Sequence, residues 1–364
     1  MNTAVLKCGN KYGRNCLILW SKLCIFIGYL GGSSIQNNKV KYRLNISKHI
    51  DNELESKEFS SRFKVGSQGV FTRDRKLNLK NLIVLIMRFK TSIQRELDSF
   101  FKETSNSDFN IRKATKSAFT QARAKLKPEG FKRLNEIAVN IFYDEAPYYK
   151  WFDFRVLAVD GTRLVLPNHP TIVEEFGQHK FGPKADSLRS LALGSILYDV
   201  LNQVSIDAQI DRYVSSERDL LMKHLEFVKK GDLLLLDRGY PCFWLLFLLM
   251  AKEIGFCVRL KNNWWLEVNE FVNSTENERI VKFKLPKKDR DKLSEYPEYI
   301  DKEIECRLIK VVLETGETEV LCTSLINHEK FPIENFKELY HYRWNEEEVY
   351  KLLKLYAMHK TSIL

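Results

Sequence analysis

None of the seven cysteines in this 364-residue chain forms a Cys-x-x-Cys pair, and the chain has no internal repeat and no low-complexity tract. An odd number of unpaired-looking cysteines gives neither a disulfide framework nor a zinc site, and it suits a reducing compartment. Ligand spacing is absent from the histidines too, so His169, His179 and His224 are expected in loops or at the surface. A long hydrophobic run is also missing. The apolar stretch Leu17 to Leu30 is interrupted by Ser21 and Lys22 and is too short for a confident membrane span. Lys7, Lys11 and Arg14 precede it and Gly-Gly-Ser-Ser follows, as in a weak signal peptide. A leader from a misassigned upstream start is the preferred explanation, and no membrane partner is expected.

Positive charge is present, and it is concentrated. Of the net +11, an excess of +12 lies between Ser61 and Asn135, where 18 Lys and Arg face 6 Asp and Glu. The rest of the chain is close to neutral. Basic residues spread through helical periodicity point to a polyanionic partner, nucleic acid before membrane. From Leu77 an apolar stripe runs through Leu79, Leu82, Ile83, Ile86, Phe89, Ile93, Leu97, Phe100 and Phe101, leaving Arg88, Lys90 and Arg95 outward. Two more helices are expected on either side of Lys127-Pro128-Glu129-Gly130. With Arg123, Lys125, Lys127, Lys132 and Arg133 at that break, a DNA-docking unit is expected over a purely solvated bundle. Residues 1–60 read as leader and linker, and 61–148 as an all-helical, basic DNA-binding domain.

After Trp151 the period changes. RVLAVD, LRSLALGSILYDV and QVSIDAQID read as strands, followed by a helix, the strand DLLLLD, a helix after Pro241 and the strand FCVRLK. Three strands, then helix, strand, helix, strand is the order of an RNase H-like α/β domain, expected over 150–262 plus 331–358. Residues 263–330 alternate short strands with charged turns, including a hairpin turn at Glu314-Thr315-Gly316-Glu317, and read as a β-rich insertion.

Two aspartates end core strands, Asp160 in VLAVDGT and Asp237 in LLLLDRGY. Each has a plainer reading. Asp160-Gly161 has the look of a hairpin turn, and Asp237 that of a helix N-cap. Asp153, Asp199, Asp207 and Asp211 are expected in turns or at the surface. Near the C-terminus, IENFKELYHYRWNEEEVYKLLKLY spaces Tyr340, Arg343, Glu347 and Lys354 so that one helical face carries all four. If the two aspartate strands are neighbours, Glu347 supplies a third acid. Three carboxylates suit two hard cations acting on a phosphodiester, with Mg²⁺ as the ion expected and Mn²⁺ as a substitute.

With Asp160, Asp237 and Glu347 in this order, and Y-x2-R-x3-E-x6-K intact, residues 71–356 resemble the DDE transposases of bacterial insertion sequences, specifically those with the YREK signature, the insertion-sequence-four type. VDGT, DRGY and the RW before the acidic positions look like that family's boxes. The resemblance implies an enzyme that binds the terminal inverted repeats of its element, nicks DNA by water attack, and transfers the freed 3′-OH to a second phosphodiester. Asp160, Asp237 and Glu347 would hold two Mg²⁺. Tyr340, Arg343, Lys354 and Arg238 would contact DNA, with Trp264 or Trp265 receiving a flipped base unless both are β-domain core. It also implies transposon-end and target duplexes as partners, a homodimer as the active complex, and a cytoplasmic, nucleoid-associated location. Family members continue with further helices past the signature, whereas this chain ends at Leu364, ten residues after Lys354. That fits a truncated or frameshifted copy. The rival reading is a non-catalytic DNA-binding remnant that inhibits transposition.

Overall fold

The computed structural model describes residues 36–66, 70–71, 76–88, 92–109, 112–181, 187–262, 264–313 and 316–351. Phe89, Lys90, Glu314, Thr315, Lys354 and the apolar stretch Leu17 to Leu30 lie outside them. Six helices come first: α1 (Gln36–Glu55), α2 (Lys57–Arg62), α3 (Leu79–Arg88), α4 (Ile93–Thr104), α5 (Lys116–Arg123) and α6 (Glu129–Glu145). Local chemistry starts several of them. Ser56 and Thr115 accept from the amides of Phe59 and Ala118, capping α2 and α5, and Pro128 opens α6 where no amide hydrogen is needed. The expected apolar stripe is buried: Leu82, Ile83, Ile86, Leu97, Phe100 and Phe101 pack with Phe59, Phe119, Phe131 and Leu134 in one core, while Arg95 faces solvent.

Residues 37–60 were expected to be a linker and are not. Most of them form α1, whose Tyr42 and Ile46 join Ala138, Val139 and Phe142 of α6 in the core beneath the sheet. Farther along the same helices, Leu54, Phe131 and Leu134 belong to the helical core. The two long helices therefore run through both cores, and the boundary expected at 148–150 is one of chain and not of packing. Sequence polarity concealed this, because a helix that buries only a few large side chains has a weak apolar pattern.

The second part is a mixed sheet. Its strands are β1 (Val156–Leu166), β2 (His179–Phe181), β3 (Ser187–Asp199), β4 (Val204–Arg212), β5 (Leu233–Leu236), β6 (Gly255–Leu260), β7 (Glu278–Lys284), β8 (Glu303–Val312) and β9 (Thr318–Thr323). The intervening helices are α7 (Pro170–Phe176), α8 (Glu217–His224), α9 (Phe243–Ala251) and α10 (Leu266–Val272), and α11 (Asn335–His341) follows β9. The strands run in the order β2-β3-β1-β5-β6-β9-β8-β7, with β4 on β3. β4, β3 and β1 are antiparallel and β1, β5 and β6 are parallel, consistent with the RNase H-like order read from the sequence.

The β-rich block of 263–330 is inserted in sequence but continuous in space. β9 pairs antiparallel with β6, and β8 and β7 extend the same sheet. Its hairpin closes where Val312 faces Thr318, with Gly316 at φ 83°.

All four residues of β5 are buried, since side-chain alternation sends them to two covered faces. Leu234 and Leu236 pack with Leu157, Val159 and α9, whereas Leu233 and Leu235 pack with Val156, Ala158 and α11. Two turn-like readings are settled by the same sheet. β1 runs straight through Asp160-Gly161 to Leu166, so Asp160 sits inside the strand where a strand end was expected, and the N-cap of α9 is Cys242, leaving Asp237 in the turn after β5.

Deleting residues 1–55 removes Tyr42, Ile46 and Leu54 from two cores at once. The truncated protein is expected to be destabilised by several kcal/mol, at about 2–5 kcal/mol for each large apolar side chain lost. Denaturant unfolding beside the full chain checks this, and an unchanged midpoint would restore the linker reading.

Candidate active site

The parallel pairing of β1 with β5 sets Val159 against Leu236, so the next residue on each strand is an aspartate, Asp160 and Asp237. Alternation continues the face of Ala158 and Leu235 and aims both carboxylates toward the segment after β9. That segment was expected to be one helix. Instead α11 ends at His341, Tyr342 and Arg343 form a turn, and residues 344–351 are helical again. The Arg343 amide bonds back to the Tyr340 carbonyl at 3.2 Å, and the Glu346 amide to the Arg343 carbonyl at 3.1 Å.

Despite the break, Tyr340, Arg343 and Glu347 meet the aspartates. Arg343 is 3% exposed, and its Nη1 lies 3.7 Å from Asp160 Oδ2 while Nη2 lies 3.4 Å from Glu347 Oε1. The Tyr340 hydroxyl makes long contacts of 3.4 Å to Asp237 Oδ1 and to the Leu236 carbonyl. Arg259 on β6 adds a second cation, with Nε 3.2 Å from Asp237 Oδ1 and Nη1 paired with Glu319. The carboxylates of Asp160, Asp237 and Glu347 are 23%, 30% and 33% exposed, so a ligand can reach all three. Burial raises the Asp160 carboxyl above the usual aspartate value; the Gly161 amide and Arg343 oppose the shift, and Asp237 and Glu347 add to it.

Behind these acids the backbone of Asp160 is gripped by groups the sequence reading missed. Its amide donates to Glu346 Oε1 at 2.9 Å, and its carbonyl accepts from the Tyr350 hydroxyl at 2.6 Å. The same hydroxyl accepts from the Ile196 amide at 2.9 Å. Asp160 and Ile196 face each other across β1 and β3, so the phenol is inserted into the strand ladder itself. Glu346 is fully buried, and burial followed by the Asp160 charge holds its carboxyl well above the glutamate range.

Glu217 is a fourth acid at the site. A Cβ on Gly161 would stand 2.5 Å from Glu217 Oε1, and one on Gly239 would stand 3.3 Å from Oε2, so the carboxylate lies over the chain segments carrying Asp160 and Asp237. Burial raises its carboxyl, and Asp160 and Asp237 raise it further. Glu346 and Tyr350 lie within the signature stretch and Glu217 follows a capping serine, but residue type alone did not mark any of them as site residues.

The oxygen donor set suits Mg²⁺ or Mn²⁺. Among the described residues, however, no three His, Cys, Asp or Glu groups are drawn close enough to hold an ion. Arg343 lies between Asp160 and Glu347, and Arg259 lies on Asp237. In this arrangement the arginines supply the neutralising charge.

The remaining expected residues are scattered. Arg238 is exposed beside Asp237, and Lys125 is exposed near the start of α6. Arg123 is 2% exposed with its guanidinium 5.7 Å above the Phe119 ring, so it packs inside the helical core and presents no surface to a phosphate. Trp265 stacks on Phe243 at 4.3 Å and meets the Phe283 edge at 5.0 Å, as a core residue does; Trp264 stacks outside it at 5.3 Å. Three residues expected at the surface or in turns are buried instead: His224 and Asp199 are 0% exposed and Asp207 is 4% exposed. Each is held by hydrogen bonds that only the fold brings together.

A family model described as a transposase DDE domain matches residues 151–363. Transposase InsG of insertion sequence element IS4 from Escherichia coli strain K12 is 24% identical over 246 residues, which cover 65% of this chain and 52% of the relative. The chain thus spans about half the length of that curated relative.

Two outcomes follow from the geometry. Gly161→Ala should push the Glu217 carboxylate aside and cost about 1–3 kcal/mol. Glu217→Ala in the same protein should recover most of that loss, a coupling that a denaturation double-mutant cycle measures directly. Burial also raises the Glu346 carboxyl above its unfolded value, so its contribution to stability is complete at low pH and is lost as pH climbs from the ordinary 4.5 through the raised folded value. Glu346→Gln keeps an acceptor for the Asp160 amide but cannot ionise. Its denaturation midpoint should therefore decline less than the parent's over that rise in pH.

Proposed function

The chain belongs to the transposase DDE family, and from that premise we propose that it binds the terminal inverted repeats of its own insertion sequence and catalyses metal-dependent DNA cleavage and strand transfer. The observation carrying this reading is the placement of Asp160, inside β1, beside Asp237, just past the end of the adjacent parallel strand β5, with Arg343 reaching from Asp160 to Glu347.

Asp160, Asp237 and Glu347 are the acids that would hold two Mg²⁺, with Mn²⁺ as a substitute. The ions would supply activation of the attacking oxygen and stabilisation of the leaving oxygen. This chain's own side chains bind and orient the DNA. Arg343 is buried between two of the acids, a placement suited to orienting Asp160 and Glu347. Tyr340 offers a hydroxyl at Asp237, and Arg238 and Lys354 add positive charge for the backbone of the transposon end. Water attack on one phosphodiester frees a 3′-OH, which then attacks a second phosphodiester in the opposite strand or the target.

The basic helices provide the wider duplex contact. Exposed Arg95 and Lys125 are suited to phosphates, while buried Arg123 supports the helical core. Such chemistry on two paired ends implies a homodimer as the working unit. No helix among the described residues is long and apolar enough to cross a membrane, and a nucleoid-associated, cytoplasmic setting fits DNA as the partner.

Asp237→Ala should bind a duplex carrying the flanking inverted repeat as the parent does and leave it uncut in Mg²⁺. Cutting that persists in this variant sinks the catalytic assignment. Cutting by the parent that ignores the repeat would make the protein a general nuclease.

A further inference from the structure

A second polar chain lies buried on the opposite face of the sheet from the signature helices. His224, the last residue of α8, sets Nδ1 2.8 Å from Asp207 Oδ2 and Nε2 3.1 Å from Ser195 Oγ. The Ser195 hydroxyl in turn lies 3.0 Å from the main-chain carbonyl of Asp160, to which it donates. An aspartate, a histidine and a serine in this order resemble the relay of a hydrolase. Burial excludes that use. His224 and Ser195 are 0% exposed, Asp207 is 4% exposed, and the serine oxygen faces a backbone carbonyl where a substrate would have to sit.

Building the chain takes a distortion of the sheet. Leu197 faces Asp207 and the next residue, Tyr198, faces Ser205, so Ile206 is an extra residue in β4. This β-bulge lets Ile206 join the core on the α8 side while Asp207 also points there to meet His224. The bulge is held from outside. Asn135 on α6 donates to the carbonyls of both Ser205 and Ile206, at 3.2 and 3.0 Å, and Lys132 on the same helix approaches Asp207 Oδ1 at 3.9 Å. The polar chain thus begins on the helix that leads out of the basic segment and ends at the backbone of Asp160.

We infer that Asp207, His224 and Ser195 form a positioning relay that fixes the Asp160 main chain for catalysis. Tyr350 holds the same carbonyl from the other face and Glu346 holds the amide, so the peptide bearing the first acid is fixed from both sides of the sheet. A carboxylate displaced by as little as about 1 Å can slow catalysis by up to roughly a hundredfold, whereas phosphate contacts elsewhere are unaffected. The relay therefore acts on the chemical step and not on DNA binding. This inference rests on Asp160 being a catalytic acid.

The test uses the full-length protein and a duplex carrying the flanking inverted repeat, in Mg²⁺, under single turnover at saturating enzyme. Ser195→Ala, which removes a single oxygen, should lower the cleavage rate about tenfold or more, with duplex affinity and thermal midpoint near those of the parent. His224→Gln should lower the rate comparably. The double variant should be no slower than the slower single variant, because both act through one chain. Ser195→Thr, which restores a hydroxyl, should recover much of the rate. A folded Ser195→Ala protein that cuts within twofold of the parent overturns the relay, as does a rate loss explained by weaker duplex binding. Asp160→Ala is run alongside. If it still cuts, the catalytic reading has failed. If it does not cut and Ser195→Ala does, only the relay has failed.

Discussion

The parallel pairing of β1 with β5 is the constraint on which the site depends. Once Val159 sits against Leu236, period-two alternation leaves no freedom about where Asp160 and Asp237 point. A slip of one residue would send one carboxylate to the α9 face, among leucines and phenylalanines, where an unpaired charge is costly. The register is protected by burial on both faces, with every residue of β5 and the first four of β1 inaccessible to solvent. The core therefore holds the two acids in register as well as holding the fold together.

Around that pair, charge is arranged to be tolerable before any ligand arrives. Three carboxylates share two arginines, a fourth lies over the chain segments that carry the aspartates, and a fifth is buried behind. Arg343 and Arg259 offset the repulsion, and the hydrogen bond from the Asp160 amide partly satisfies Glu346. Glu346 Oε2 still has no hydrogen-bond partner. An unsatisfied buried polar atom costs about 1–3 kcal/mol, and the core around it has to offset that cost. In exchange, the backbone of Asp160 is held at its amide and its carbonyl by groups from two elements, the helical run 344–351 and β3.

The helical part is bound to this arrangement more closely than its composition suggests. Helices α1 and α6 contribute side chains to the helical core at one end and to the sheet core at the other. Asn135 seats α6 on the carbonyls of the β4 bulge. Basic surface and acidic site are therefore joined through shared helices.

Strand and helix periodicity, an aspartate directly after the apolar strand β5, the signature spacing and the concentration of positive charge in the helical segment are all legible in the sequence. These are local properties: periodicity, turn residues and motif spacing survive without knowledge of what packs where. Tertiary structure alone decided that a polar stretch is the helix α1, that the β-rich block extends the main sheet, and that the signature helix breaks at Tyr342 and Arg343. It also decided that Arg123 is a core residue, that His224 and Asp207 are buried partners, and that Glu217, Glu346 and Tyr350 surround Asp160. The reason is common to all of these. A polar side chain shows its type in sequence, but whether it is solvated or satisfied inside depends on partners 17 to 190 residues away, and only the folded chain brings them within hydrogen-bond distance.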